Sequence, residues 1–195
     1  MRRLLSLALC LPLALAGCGY NFPGQASSLP GGGTRLAIRP FVNQTRDAGV
    51  EANFREALES EVERRANFSV VPEQDADVVL AGVLQALRYR PIAFSASDEA
   101  MQYETVLVLS ASLQSPDDGR VFWQVSNFTG SDSFGAVQGT VVVQSSQFQE
   151  QSTLNEQNLA RLTDVQLSES QKGETTQRLL ENVARDLYNS MVEDF

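Results

Sequence analysis

The strict alternation from Tyr103 to Leu113 leaves this chain the fewest choices of fold. Tyr103, Thr105, Leu107, Leu109, Ala111 and Leu113 face one way, a period of two that belongs to a strand with one buried face. Glu104, Ser110, Ser112 and Gln114 share the other face with Val106 and Val108, so one side is core and the other mixed. Ser115-Pro116-Asp117-Asp118-Gly119 follows, with proline to fix φ and glycine to accept positive φ, and folds the chain back. The returning strand is Arg120 to Phe128, with Val121, Trp123 and Val125 expected on one face and Phe122 and Phe128 on the other, beside Gln124 and Ser126.

Around this hairpin the text predicts two helices and further strands. Thr34 to Val42 reads as a strand ending at Asn43-Gln44-Thr45. Val50, Phe54, Ala57, Leu58, Val62 and Ala66 then recur at helical spacing, with Asp47 placed to cap the start and Glu51 and Glu56 toward the positive end of the dipole. Phe68 to Val71, a proline, an acidic turn and the apolar run Val78 to Leu87 read as strand, turn, strand, or as one strand reached through an irregular entry, with Gly82 marking a bulge or a close backbone approach. From 130 to 172 the chain is Gly-, Ser- and Gln-rich, a low-complexity insertion broken by Thr140 to Val143 and by a capping box, Thr153 to Glu156, before a short helix. Leu180, Val183, Ala184, Leu187 and Met191 form the stripe of a closing amphipathic helix. The order β-α-β-β-β-α predicts an α/β two-layer sandwich, two helices packed on one face of a mixed four-stranded sheet. The strand-helix-strand unit should cross over into parallel pairing, and the strands joined by tight turns should be antiparallel.

The N-terminus has a different character. Arg2 and Arg3 precede an apolar stretch, Leu4 to Ala16, that is too short for a permanent span. It ends in Leu15-Ala16-Gly17-Cys18, which resembles the bacterial lipobox. Residues 1–17 are therefore expected to be a lipoprotein signal peptide, with Cys18 as the lipid attachment site. Each buried acyl methylene contributes on the order of 0.8 kcal/mol, so two or three chains hold such a protein on a membrane without a spanning helix. Residues 18–33, with Pro23, Pro30 and Gly31-Gly32-Gly33, read as a flexible tether, and 34–195 as a single α/β domain. Gly19, where an aspartate would signal retention in the inner membrane, favours an outer-membrane, periplasm-facing destination.

Composition narrows the chemistry. The formal charge is −9 over 195 residues; without Arg2 and Arg3 it becomes about −11, which argues against nucleic acid as a partner. Cys18 is the last cysteine, so the mature chain has no disulfide and no cysteine cluster for a metal, and no histidine is present. No catalytic residue and no cofactor is expected. Hydrolysis would need a carboxylate pair or a Ser-Lys dyad, yet Lys172 is the sole lysine and Asp117-Asp118 lies in a turn, where Asp is favoured for backbone reasons.

Several segments, in order, resemble the lipopolysaccharide-assembly lipoproteins called LptE. Cys18-Gly19-Tyr20-Asn21-Phe22 is similar to that family's aromatic start, and Ile38 to Thr45 to its first strand ending in Phe-x-Asn-x-Thr. Ala76-Asp77-Val78-Val79-Leu80-Ala81-Gly82 is similar to its Ala-Asp-x-x-Leu-x-Gly segment. The stretch from Tyr103 through Gly119-Arg120-Val121-Phe122-Trp123 resembles its central hairpin. The resemblance implies a plug within the lumen of an LptD-type β-barrel that supports the barrel's assembly and lipopolysaccharide transport to the outer leaflet. Lipopolysaccharide is itself an implied partner. In the family, basic residues near the loop before the central hairpin and on the strand after it are linked to the lipid's phosphates. Here residues 97–104 carry Asp98, Glu99 and Glu104 and no Lys or Arg, so Arg88 and Arg90 are the nearest ligand-binding candidates. The alternative role is a periplasmic adaptor or activator lipoprotein of peptidoglycan synthesis. A tether of about fifteen residues reaches at most about 50 Å, which favours a partner close to the membrane.

Overall fold

The computed structural model describes residues 28–65, 67–96, 98, 100–135 and 156–193, with side chains from 169 to 192 in the last segment. Its elements are β1 (Arg35–Ile38), β2 (Val42–Asn43), α1 (Val50–Arg65), β3 (Ser69–Val70), β4 (Val78–Phe94), β5 (Ala100–Gln114), β6 (Val121–Gly135) and α2 (Glu156–Glu193). The strands make one sheet in the order β3-β1-β4-β5-β6, with β2 also paired to β4. Pairing is parallel for β1 with β3 and β4 and for β2 with β4, and antiparallel from β4 through β6. Both helices cover one face, as the sequence predicts, but the sheet has six strands rather than four. Pro40, which has no N–H to donate, interrupts the first predicted strand, so the pairing with β4 stops after Arg39 N bonds Leu80 O (2.9 Å) and resumes as β2. Of the two readings of Phe68 to Leu87, the structure takes strand, turn, strand: β3, two residues paired to β1 at the sheet's edge, is separate from β4.

The core is built by the periodicities visible in the text. Tyr103, Thr105, Leu107, Leu109, Ala111 and Leu113 are all buried, while every alternate residue of β5 is half-exposed. Val50, Phe54, Leu58 and Val62 of α1 meet Leu180, Val183, Ala184, Leu187 and Met191 of α2 over that face. Fully burying each such side chain contributes on the order of 1.5–3 kcal/mol, which is what holds two helices to one face of the sheet.

Three expectations need correction. Residues 28–33 are not free tether: Leu29 is 2% exposed within the core, Leu29 N bonds Gly33 O at 2.8 Å, and Gly31, at φ +92°, lies against the Phe122 ring. The remaining tether residues, and Cys18, lie outside the described residues. Around 130–172, residues 130–135 continue β6 and 156–172 open α2, a 38-residue helix rather than a short one. Gln, Ser and Glu are tolerated in helices, and no proline stands between Glu156 and Glu193 to stop propagation. Thr140 to Val143 lies outside the described residues. Finally, Phe122 and Phe128 pack against the core instead of opposing Trp123, and Val121, after a register shift beside Leu113, pairs with Gln114 and is exposed. Between Leu109↔Phe128 and Ala111↔Val125 the β6 strand carries one extra residue. Asn127 takes φ +54° there, a left-handed conformation that asparagine accepts more readily than most residues. This bulge reverses which residues point inward, so Val125 and Phe128 both pack on the core.

Candidate functional site

The residues that carried the resemblance turn out to be fasteners. Asp77, at the start of β4, accepts from the backbone N–H of Thr34 and of Arg35 (both 3.0 Å) through Oδ2, and from the Arg35 guanidinium (2.6 and 3.0 Å) through Oδ1. Those bonds hold its carboxyl down at about 2, the Arg35 hydrogen bond being the largest cause. Leu80 is buried, and Gly82 lies where a Cβ would fall on the Phe41 ring and 2.5 Å from Ser110 O. Phe41 stacks edge-on against Phe54 of α1, ring centres 5.1 Å apart. Asn43 Oδ1 accepts from Thr45 N (2.8 Å) and Oγ1 (2.7 Å), while Asn43 Nδ2 donates to Asp47 O (2.9 Å) and to Glu51 Oε2 (2.6 Å). Asp47, expected as a cap, enters this network through its backbone carbonyl. The Phe-x-Asn-x-Thr segment thus sets the angle between the sheet and α1.

Arg88 and Arg90 lie two residues apart on β4, on the sheet face opposite the helices, where they oppose Val106 and Glu104 of β5. Both are exposed, but they differ electrostatically. Arg90 Nε lies 2.5 Å from Glu104 Oε2, a charge-assisted contact. Of the two sequence candidates, Arg90 has an internal partner in Glu104, whereas Arg88 has no ion-pair partner among the described residues.

Between them, Tyr89 points the other way, into a buried polar cluster that sequence reasoning missed. Its hydroxyl is 3.4 Å from Thr176 Oγ1, and Lys172 Nζ stands 4.5 Å from its ring centre. Lys172 also pairs with Glu169 at 3.5 Å. Burial pushes the Tyr89 phenol up. Neither the strand register that put Tyr89 beside Thr105 nor the register of α2 that brought Lys172 over it was readable in the sequence. The lone lysine is engaged with an aromatic ring and a carboxylate, an arrangement that anchors α2. Asp118, in the hairpin turn, has its carboxyl lowered by Ser115 and by the backbone N–H of Arg120, again a turn role. Among the described residues no cluster of His, Cys, Asp and Glu could hold a metal, and no helix is long and apolar enough to cross a membrane.

On the outer side of the helices, Asn53, Ser60 and Arg64 of α1 face Gln177, Asn182 and Arg185 of α2 across a polar groove of about 550 Å³. Glu61 lies beneath, 3% exposed, and its carboxylate is paired with Arg64 and with Arg65 (2.9 Å). Arg65 in turn lies over the Tyr188 ring at 5.1 Å, so the carboxylate ties the end of α1 to α2.

Comparison with solved structures returns proteins at low identity, several of them lipoproteins. A minor lipoprotein from Acinetobacter baumannii is 10% identical with a TM-score of 0.45, covering 83% of this chain and 92% of its own. The PelC dodecamer from Paraburkholderia phytofirmans gives 13% and 0.39, with coverages of 85% and 93%. A lipoprotein from Neisseria meningitidis gives 13% and 0.38, with coverages of 70% and 97%. No curated protein sequence matches the chain. A family model does: LptE, lipopolysaccharide-assembly, over residues 34–191.

Proposed function

Because the chain belongs to the LptE lipopolysaccharide-assembly family, we propose that it works as an outer-membrane lipoprotein that plugs and supports an LptD-type β-barrel, without catalysing a reaction. The match over residues 34–191, which spans both helices and all six strands, is the observation that carries this reading. The fastener roles of Asp77, Gly82, Phe41 and Asn43 agree with it, since the segments shared with the family are those that fix this fold. In this reading Cys18 carries the lipid and holds the sandwich on the periplasmic side of the outer membrane. The shortened tether, ending where Leu29 enters the core, keeps the domain near that surface. Arg88 is the cation we assign to a lipopolysaccharide phosphate, because Arg90 is already engaged by Glu104. Nothing in the chain favours the peptidoglycan-synthesis alternative.

The test is purification of the full-length protein from outer membranes in mild detergent. A complex with a large β-barrel protein is expected. Recovery of monomer alone, with the barrel protein present in the same membranes, would overturn the proposal.

A further inference from the structure

We propose that the sheet face opposite the helices is the surface seated against the inner wall of the barrel, an inference that rests on the reading above and adds which side of the sandwich makes the contact. The register of β4, β5 and β6 places Ala81, Val83, Val106, Val108, Ser110 and Thr129 together on that face. Along β5 every residue of that face is partly exposed, while Val79 and Ala37 toward β1 are buried. The middle of the face carries mostly small aliphatic and hydroxyl side chains, with Arg88 beside Val106 and Gln124 beside Ser112 as the longer ones, and faces dominated by short side chains are what let one sheet lie on another. A barrel's wall is itself a sheet, and its lumen is polar. Serine and threonine hydroxyls suit such a wall, whereas a bilayer or an apolar helix would call for large aliphatic and aromatic groups.

Charge points the same way. Glu51, Glu56, Glu59 and Glu63 lie on α1, and Glu174, Glu181 and Asp186 lie on α2. On the open face the one acid among the described residues is Glu104, and Arg90 neutralises it. In a chain of net charge −9, this is the surface that can approach a neighbour without stripping water from unpaired carboxylates. Size fits as well. With β5 at 15 residues, strands roughly 3.3 Å per residue and about 4.8 Å apart give a face on the order of 700 Å². A standard interface buries about 800 Å² on each partner.

The experiment places a photocrosslinking amino acid, one at a time, at Val108 and Ser110 on the open face and at Arg55 and Glu181 on the helix face of the full-length protein in cells. Thermal melts of the purified variants confirm that each is folded. Adducts with the barrel protein are expected from Val108 and Ser110, in severalfold higher yield than from Arg55 and Glu181. Equal yields, or barrel adducts from the helix positions alone, would overturn the face assignment and leave the plug reading standing. Adducts from the open face to a second copy, or within the chain to residues 136–155, would overturn it too. No barrel adduct from any position would sink both.

Discussion

Arg35 and Asp77 lock the first strand of the sheet to the fourth, with Arg35 Nη2 2.6 Å from Asp77 Oδ1 while Asp77 Oδ2 takes the backbone N–H of Arg35 itself. Two adjacent parallel strands are thereby fixed in register by one carboxylate at their shared start. Because that carboxyl titrates at about 2 in the fold, against 3.8 ordinarily, its contribution to stability is full above about pH 4 and is lost as pH falls toward 2. Asp77→Asn is expected to lower the urea midpoint at neutral pH, and the gap to the parent protein should close as pH drops through that window. Parallel midpoints from pH 7 to pH 2.5 would contradict the assignment.

Gly82→Ala adds a methyl group where the Phe41 ring and the Ser110 carbonyl already meet. The backbone carbonyl belongs to the central strand and has no room to retreat, so overpacking should cost about 1–3 kcal/mol. Denaturant unfolding monitored by far-UV circular dichroism checks this, and an unchanged midpoint would mean that the site has slack.

Leu29→Ala separates a docked segment from a tether. Leu29 is 2% exposed, so its truncation should cost about 2–3 kcal/mol and raise amide exchange at Gly32 and at residue 29 itself, whose N–H groups donate the bonds to Leu29 O and Gly33 O. A free tether would show neither effect.

Arg88 and Glu104 should have opposite effects on binding to lipopolysaccharide. Arg88→Ala removes the available cation and should weaken binding about threefold, the size of one exposed pair worth roughly 0.5–1 kcal/mol. Glu104→Gln releases Arg90 from its partner and should strengthen binding by a similar factor. Both effects should shrink at high salt. Titration of the purified soluble domain with lipopolysaccharide reads both, and the same sign for the two variants would exclude the electrostatic account.

Cys18→Ser should move the protein from the membrane fraction to the soluble periplasmic fraction, since no acyl chain would remain to hold it. Its melting temperature should not change, because among the described residues the core begins at Leu29. Retention in the membrane after lysis and a salt wash would point to an anchor other than the lipid.

Much of the fold was legible because burial on one face imposes a period. Leu107 and Leu109 had to face inward together, and Phe54 and Leu58 had to share a helical stripe. Gly119 was readable in the same way, because its turn needs the φ of +68° that it adopts. The candidate site was less so. Arg88 and Arg90 were identifiable as cations on one strand face, but not as one available and one engaged.

The sequence by itself determined the element types and their apolar faces, since each depends on neighbours within a few residues. Register belonged to the tertiary structure alone. The bulge at Asn127 turns Phe128 inward, and Leu29 folds back into the core. Lys172 reaches Tyr89 across 82 intervening positions of chain order, and Arg90 finds Glu104 while Arg88 meets Val106. Such contacts depend on where distant segments settle when a whole face is packed at once, and a one-residue slip in any strand would exchange the partners.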